Sequence, residues 1–353
     1  MKVTRLLDGP IISPNSDASL GENIQGPSLI RVPDWISSPL GRYYLYFADH
    51  KGTYIRLAYA DELTGPWSIH TPGSLQLSES HFPTEAPAVP PGAIEAIRET
   101  AKKEHFDLDT LLHDPILELT TPHIASPDVI VDEKRKRLIM YFHGLEGFAR
   151  QVSRVATSSD GIQFDALPEI VASEARGAMG KTYLRVFPYL DQTYAMAMPG
   201  QFYRSANGLT DWEIGPRLFE PDMRHSALLR KGSCLHVFWT RVGDAPERIL
   251  HSTIELSSDW MQWQESEARE ILRPERDWEG ANAPLTPSVR SVAYGQVNQL
   301  RDPALFAEGD RTYLLYAIAG ESGIAIAEID FKSDEPSNSP WPEDPQETQS
   351  GSA

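Results

Sequence analysis

The sequence predicts an all-β protein, a five-bladed β-propeller with a short helical insertion, and three observations lead there. Short runs rich in β-branched and aromatic residues recur in sets of three along most of the chain. Most sets are followed by a small polar turn and then an aromatic residue. The whole pattern returns five times, at about 40 residues a unit plus insertions, as stacked or radially arranged repeats do.

The first set is Ser28–Val32, Tyr43–Ala48 and Ile55–Ala60, and the second is Val129–Val131, Leu138–His143 and Val152–Thr157. The third is Tyr183–Phe187, Thr193–Met198 and Gln201–Ser205; the fourth is Ser226–Leu229, Cys234–Thr240 and Ile249–Ile254. The fifth is Ala304–Phe306, Thr312–Ala317 and Gly323–Ile329. Three short strands joined by turns read as an antiparallel meander. The aromatic residues Trp67, Phe164, Trp212 and Trp263 then open a fourth, outer strand. The fifth set lacks such a strand, and Val3–Leu7 is expected to supply it and close the ring. Two β-sandwiches would not explain why one order of elements repeats five times.

Residues 92–114 interrupt the β pattern. Ile94, Ile97, Ala101, Leu108, Leu111 and Leu112 stand near helical spacing, which predicts one or two short helices between the first two blades. Residues 1–330 are thus expected to form the propeller. The Pro-, Ser- and acid-rich residues 331–353 are expected to be a disordered tail.

The formal charge is −18, from 32 Lys+Arg against 50 Asp+Glu, which argues against nucleic acid or an anionic membrane as partner. Cys234 is the single cysteine, so no intrachain disulfide or thiolate cluster forms. The first ten residues carry no apolar stretch of signal-peptide length, and no apolar run reaches membrane-spanning length. The expectation is a soluble cytoplasmic protein.

The innermost strands are preceded by short polar motifs: Gly26-Pro-Ser, Ser126-Pro-Asp-Val, Thr182-Tyr-Leu-Arg, Arg224-His-Ser and Arg301-Asp-Pro. Together with the Tyr-rich second strands, they resemble glycoside hydrolase family 43 and its five-bladed relatives in families 32, 62, 68 and 117. The resemblance covers residues 3–330. It implies a sugar-sized funnel on the axis and inverting hydrolysis by three acids: a base on blade one, a positioning carboxylate on blade two and a general acid on blade three. Asp128 matches the second of these. His225 resembles an axial histidine often found beside a metal or water, which makes it the candidate ligand for a divalent ion such as calcium. Gly26 stands where the first-blade aspartate would precede Pro27, and no glutamate opens the third blade near Thr182.

Inverting hydrolysis needs a carboxylic acid and a carboxylate roughly 6.5–9.5 Å apart, with water between them. Candidate catalytic residues are Asp128, Glu22, Asp302 and Glu279, with Glu321 on a late loop. Glu22, four residues before Gly26, could substitute for the missing aspartate. Arg301 beside Asp302 would keep it ionised. The plain alternative for Asp128 and Asp302 is a turn aspartate capping backbone amides. His50, His123 and His143 lie near strand ends, where imidazoles bind substrate, exchange protons or hold a metal. Arg185 and Arg224 offer planar forks for an acidic sugar, with Arg31 and Arg56 as further inner-strand arginines. Tyr183, Trp278 and Trp35 are candidate stacking platforms, whereas Trp239 reads as core. Three functions remain open: a glycoside hydrolase acting on an oligosaccharide, a lyase using histidines and a metal, and a non-catalytic sugar-binding propeller.

Overall fold

The computed structural model describes residues 1–103, 114–171 and 182–331, and it is a five-bladed propeller. The chain opens with β1 (Lys2–Arg5), which serves the last blade. Blade one is the meander β2 (Gln25–Arg31), β3 (Tyr43–Ala48), β4 (Tyr54–Ala60) and β5 (Ser68–Gln76). Blade two is β6 (Ile124–Asp132), β7 (Arg137–Gly147), β8 (Arg150–Ser158) and β9 (Asp165–Val171). Blade three is β10 (Thr182–Tyr189), β11 (Gln192–Met198), β12 (Gln201–Ser205) and β13 (Glu213–Arg217). Blade four is β14 (Met223–Lys231), β15 (Cys234–Arg241), β16 (Ile249–Glu255) and β17 (Arg269–Leu272). Blade five is β18 (Arg301–Glu308), β19 (Arg311–Ala317) and β20 (Ile324–Asp330), completed by β1. The first strands of successive blades are neighbours, and β18 returns to β2, so they line one axis.

The alternating burial of β-strands makes the ring. On β3, Tyr44, Tyr46 and Ala48 pack into a core shared with blade two, while Tyr43, Leu45 and Phe47 pack into another shared with blade five. Five buried clusters result, one between each pair of adjacent blades. The turns before the outer strands also join blades. Ser158 Oγ accepts the Gly161 N–H at 2.8 Å, and Tyr46 of blade one donates to Gly161 O at 2.7 Å. Tyr141 repeats this contact to Gly208 O of blade three at 2.8 Å. Gly161 has φ +74°, and a Cβ there would lie 2.7 Å from Leu138 Cδ1, so the turn needs glycine.

The ring closes at the two ends of the propeller segment. β1 pairs antiparallel with β20, with Val3 opposite Ile329 and Arg5 opposite Ala327. The pairing begins at Lys2, opposite Asp330 and one residue before the expected Val3, and past its end Leu6 N–H adds a bond to Ile326 O. Among its described residues the insertion carries two helices, α1 (Ala93–Lys103) and α2 (Pro115–Thr120), the second lying just past the expected boundary. Asp114 caps α2 by accepting the Ile116 and Leu117 N–H groups at 3.1 Å. Leu108, Leu111 and Leu112 fall outside the described residues, as does the expected tail apart from Phe331, which packs on His236. Among the described residues, no helix is long and apolar enough to cross a membrane.

Candidate functional site

All five innermost strands begin with the same irregularity. Their pairing slips between Gln25 and Ser28, Ala125 and Asp128, Thr182 and Arg185, Met223 and Ser226, and Arg301 and Ala304. Bulges of this kind re-aim side chains. Gly26, Ser126, Tyr183, Arg224 and Asp302 are therefore equivalent positions around the axis. Ser126, Tyr183 and Asp302 hold left-handed φ values of +51°, +58° and +45°. Such backbone is costly for residues with a Cβ, and its recurrence at one register sets these positions apart from the rest of the strands. Gly26 shares the conformation, and a Cβ on it would stand 3.0 Å from Ser126 Cα. The blade-one aspartate of family 43 therefore has no room here unless blade two shifts.

Register separates the two inner-strand aspartates. Asp302 sits on the bulge, immediately before Pro303. Asp128 lies two residues further along, equivalent to Ser28. Ser28 Oγ accepts the Val129 N–H at 2.8 Å, and Asp128 Oδ2 accepts the Val186 N–H at 2.9 Å, so each ties its blade to the next. Arg185 lies 3.6 Å from Asp128 Oδ1 and donates to Pro127 O and Ser226 O. Asp128 is thus a strut between blades two and three, which corrects its expected place as a carboxylate of the funnel. The bulge position of blade two, before Pro127, is held by Ser126.

Around the axis, His123, His143, Tyr183 and His225 form an arc of rings with successive centroid separations of 5.9, 4.6 and 4.6 Å. Burial pushes all three histidines well below their ordinary pKa, so they are neutral. Burial likewise keeps the Tyr183 phenol protonated. The arc ends at Asp302. His225 Nδ1 accepts the Asp302 N–H at 3.3 Å and lies 3.2 Å from Oδ1, outside hydrogen-bonding alignment. Both Asp302 oxygens are buried without a partner. Burial, reinforced by the charge of Glu321, pushes this carboxyl up to about 7.

Glu321 is the counterweight. Arg301 Nη1 donates to its Oε1 at 2.7 Å, Asn23 Nδ2 donates to its Oε2 at 2.7 Å, and the Ala293 N–H reaches Oε1 at 3.4 Å. His50 Nδ1 lies 3.3 and 3.2 Å from the two oxygens. Although burial works the other way, His50 and Arg301 pull Glu321 far below the carboxylate range, so it stays ionised. Because an ionised carboxylate only accepts, His50 Nδ1 is the donor in this contact. Arg301 also lies 3.2 Å from Glu247, which Arg224 approaches at 3.4 Å.

Other expected site residues lie elsewhere. Glu22 is exposed, and its neighbour Asn23 takes part instead. Glu279 is fully buried, but Arg5 of the closing strand donates to it at 2.7 and 2.8 Å and Tyr316 at 3.0 Å. Those bonds make it a ring-closing anion. Trp278 packs partly buried against the core between blades four and five, which corrects its expected role as a platform. Trp35 donates to Glu133, and Trp239 is core between blades three and four. Arg31 pairs with Glu308 at the surface, and Arg56 donates to Asn23 O. Arg185 and Arg224, expected as a clamp, already have protein partners. At His225, Nδ1 faces the Asp302 N–H and is not open to a metal, and the Arg224 and Arg301 charges bear on the ring. Among the described residues, no three His, Cys, Asp or Glu side chains converge to hold a metal. Asn23 and Glu247 were missed because residues outside the named strands carry no periodic signal, and Arg301, expected to keep Asp302 ionised, pairs instead with Glu321 and Glu247.

The class defined by this architecture is a five-bladed propeller with a buried polar site at one end of its axis. It shares its fold with a thermostable family-43 glycoside hydrolase, at TM-score 0.52 and 13% identity over 91% of this chain and 95% of that one. The GH43_1 enzyme from Xanthomonas citri gives TM-score 0.53 and 11% identity, over 93% and 91% of the two chains. The catalytic domain of the Coprinopsis cinerea GH62 alpha-L-arabinofuranosidase gives 0.51 and 13%, over 93% and 96%. No protein-family model matches the sequence. The chain is 35% identical over 333 residues to uncharacterized protein R118 of Acanthamoeba polyphaga mimivirus, across 87% of this chain and 83% of that one, and belongs to the same family.

Proposed function

We propose that the protein is a carbohydrate-active hydrolase that cleaves a glycosidic bond at the axial site. The observation that carries this reading is Asp302, a buried carboxyl with unpartnered oxygens, pushed up to about 7 beside an ionised Glu321. Two carboxyls driven apart in this way supply one proton donor and one fixed anion near neutral pH. Asp302 then donates its proton to the departing glycosidic oxygen as the C–O bond breaks. Water attacks the anomeric carbon and gives its proton to His50 Nε2, while Glu321 holds the opposite nitrogen and steadies the imidazolium. The fold shared with family-43 and family-62 hydrolases supports a sugar as substrate.

The test is a panel of neutral and uronic aryl glycosides and oligosaccharides, assayed for reducing ends and for ultraviolet-absorbing unsaturated products. Hydrolysis that collapses in Asp302→Asn supports the proposal. Unsaturated products would mean a lyase, and sugar binding of equal strength in both proteins without turnover would mean a binding propeller.

A further inference from the structure

The axial site is covered. Val292 and Ala293, on the segment between blades four and five, are buried above it, and Asp302 has no exposed surface. The two ends of this segment are pinned by backbone bonds. At one end, Ser288 N–H donates to Asp244 O and Gly243 N–H to Ser288 O, both at 3.1 Å. At the other, Val297 N–H donates to Ala319 O at 3.3 Å and Gly320 N–H to Gln299 O at 2.9 Å.

Between the pins the ties are of another kind. Arg224 Nη1 donates to Val289 O at 2.9 Å, and Arg301 Nη1 donates to Ser291 O at 2.9 Å. Ser291 Oγ donates to Glu118 Oε1 on α2 at 2.6 Å, and Lys51 lies 3.0 Å from the other oxygen of that carboxylate. Ala293 N–H points to Glu321. Each of these bonds has a side chain on at least one side, so the middle of the segment can leave without unzipping a sheet. Gly295, with φ +73° and open space around its Cβ position, supplies a pivot before the second pin.

The bonds also have a direction. Arg224 stands on a bulge position and Arg301 directly before one, and both point their donors at peptide carbonyls of the cover. Beneath it, Asp302 Oδ1 and Oδ2, Glu247 Oε1 and Arg224 Nε are buried without partners. A guanidinium facing a carbonyl oxygen is equally suited to a ligand oxygen. We propose that residues 289–295 are an autoinhibitory strap. Its carbonyls occupy the arginine donors that a polyhydroxylated ligand would use, and Ser291–Glu118 is the latch that keeps it down together with Arg290, which donates to Pro221 O at 2.9 Å. Ligand and strap then compete for Arg224 and Arg301, and the site is open only while the strap is lifted.

Hydrogen–deuterium exchange on the full chain tests this without a substrate. Ser291→Ala removes the latch donor and little else. The amides of residues 289–295 should then exchange about 10-fold faster or more, with β14 and β18 unchanged. Glu118→Ala, which cuts the latch from the other side, should give the same pattern and carries the test if Ser291→Ala folds poorly. Unchanged strap protection in both variants overturns the proposal, as does strap exchange that rises only together with that of the sheets. An inactive protein with a released strap would sink the hydrolase reading and leave the strap standing. An active protein whose strap stays protected in both variants would do the reverse.

Discussion

Asp302 and Asp128 both lie near the start of an innermost strand, both neighbour a proline, and burial pushes both carboxyls upward. Only their register differs. Asp128 stands past the bulge, where its side chain reaches the next blade, takes the Val186 N–H and has Arg185 3.6 Å away. Asp302 stands on the bulge, in left-handed backbone, with both oxygens unpartnered beneath the strap. The same residue type is masonry at one register and a poised acid at the other. A shift of two residues along a strand changes what a carboxylate can do.

The largest effect should come from Asp302. Asp302→Asn keeps shape and hydrogen-bonding reach but has no proton to give, so turnover should fall by roughly 10²-fold or more, with melting temperature held or raised. Equal turnover in the variant would remove Asp302 from the chemistry.

A structural contrast tests the other half of the comparison, the carboxylate whose oxygens are all spoken for. Arg5→Met leaves Glu279 buried without its guanidinium and should cost about 3 kcal/mol in a denaturant titration. Turnover per folded molecule should stay the same. A smaller loss would mean that Tyr316 and the Glu275 and Arg276 N–H groups, which also donate to Glu279, suffice.

Asp302 also sets a pH window. Its folded pKa of about 7 lies above the ordinary 3.8, so the folded state holds a proton that the unfolded state has released. The resulting stability is full below about pH 4 and is lost as pH rises through about 7. The swing is on the order of 4 kcal/mol. Glu321, shifted the other way, contributes above its ordinary 4.5 and loses that contribution only in stronger acid. Subtracting the stability curve of Asp302→Asn from that of the wild type isolates the neutral window, and parallel curves from pH 4 to 8 would contradict the assignment.

The ring was legible in the sequence because its signals are local. Alternating aromatics on strands such as Tyr43–Ala48 encode burial on both faces, and turns such as Ser158–Phe164 encode the step to an outer strand. The closing strand was legible for the same reason, since blade five lacked its fourth member. The site was legible only in part. Bulge register is a property of strand pairing, so the Ser-Pro-Asp and Arg-Asp-Pro motifs looked alike until their partners were known. His50 and Glu321 come from hairpin loops of blades one and five, 271 residues apart, and meet only once the ring closes. No spacing rule joins them.

The smallest effect belongs to Asp128→Asn, and it divides the two registers most cleanly. The asparagine Oδ1 can still accept the Val186 N–H, so the strut between blades two and three survives in neutral form. What disappears is the charge facing Arg185, whose guanidinium also donates to Pro127 O and Ser226 O and so stays bonded. The expected loss is on the order of 1 kcal/mol, the scale of one exchanged polar contact, with turnover unchanged. Asp128→Ala should cost more, about 2 kcal/mol, because it orphans a buried N–H as well, and still leave turnover intact. If Asp128→Asn instead kept full stability and lost turnover, the strut would be a catalytic carboxylate after all, and register would no longer separate the two aspartates.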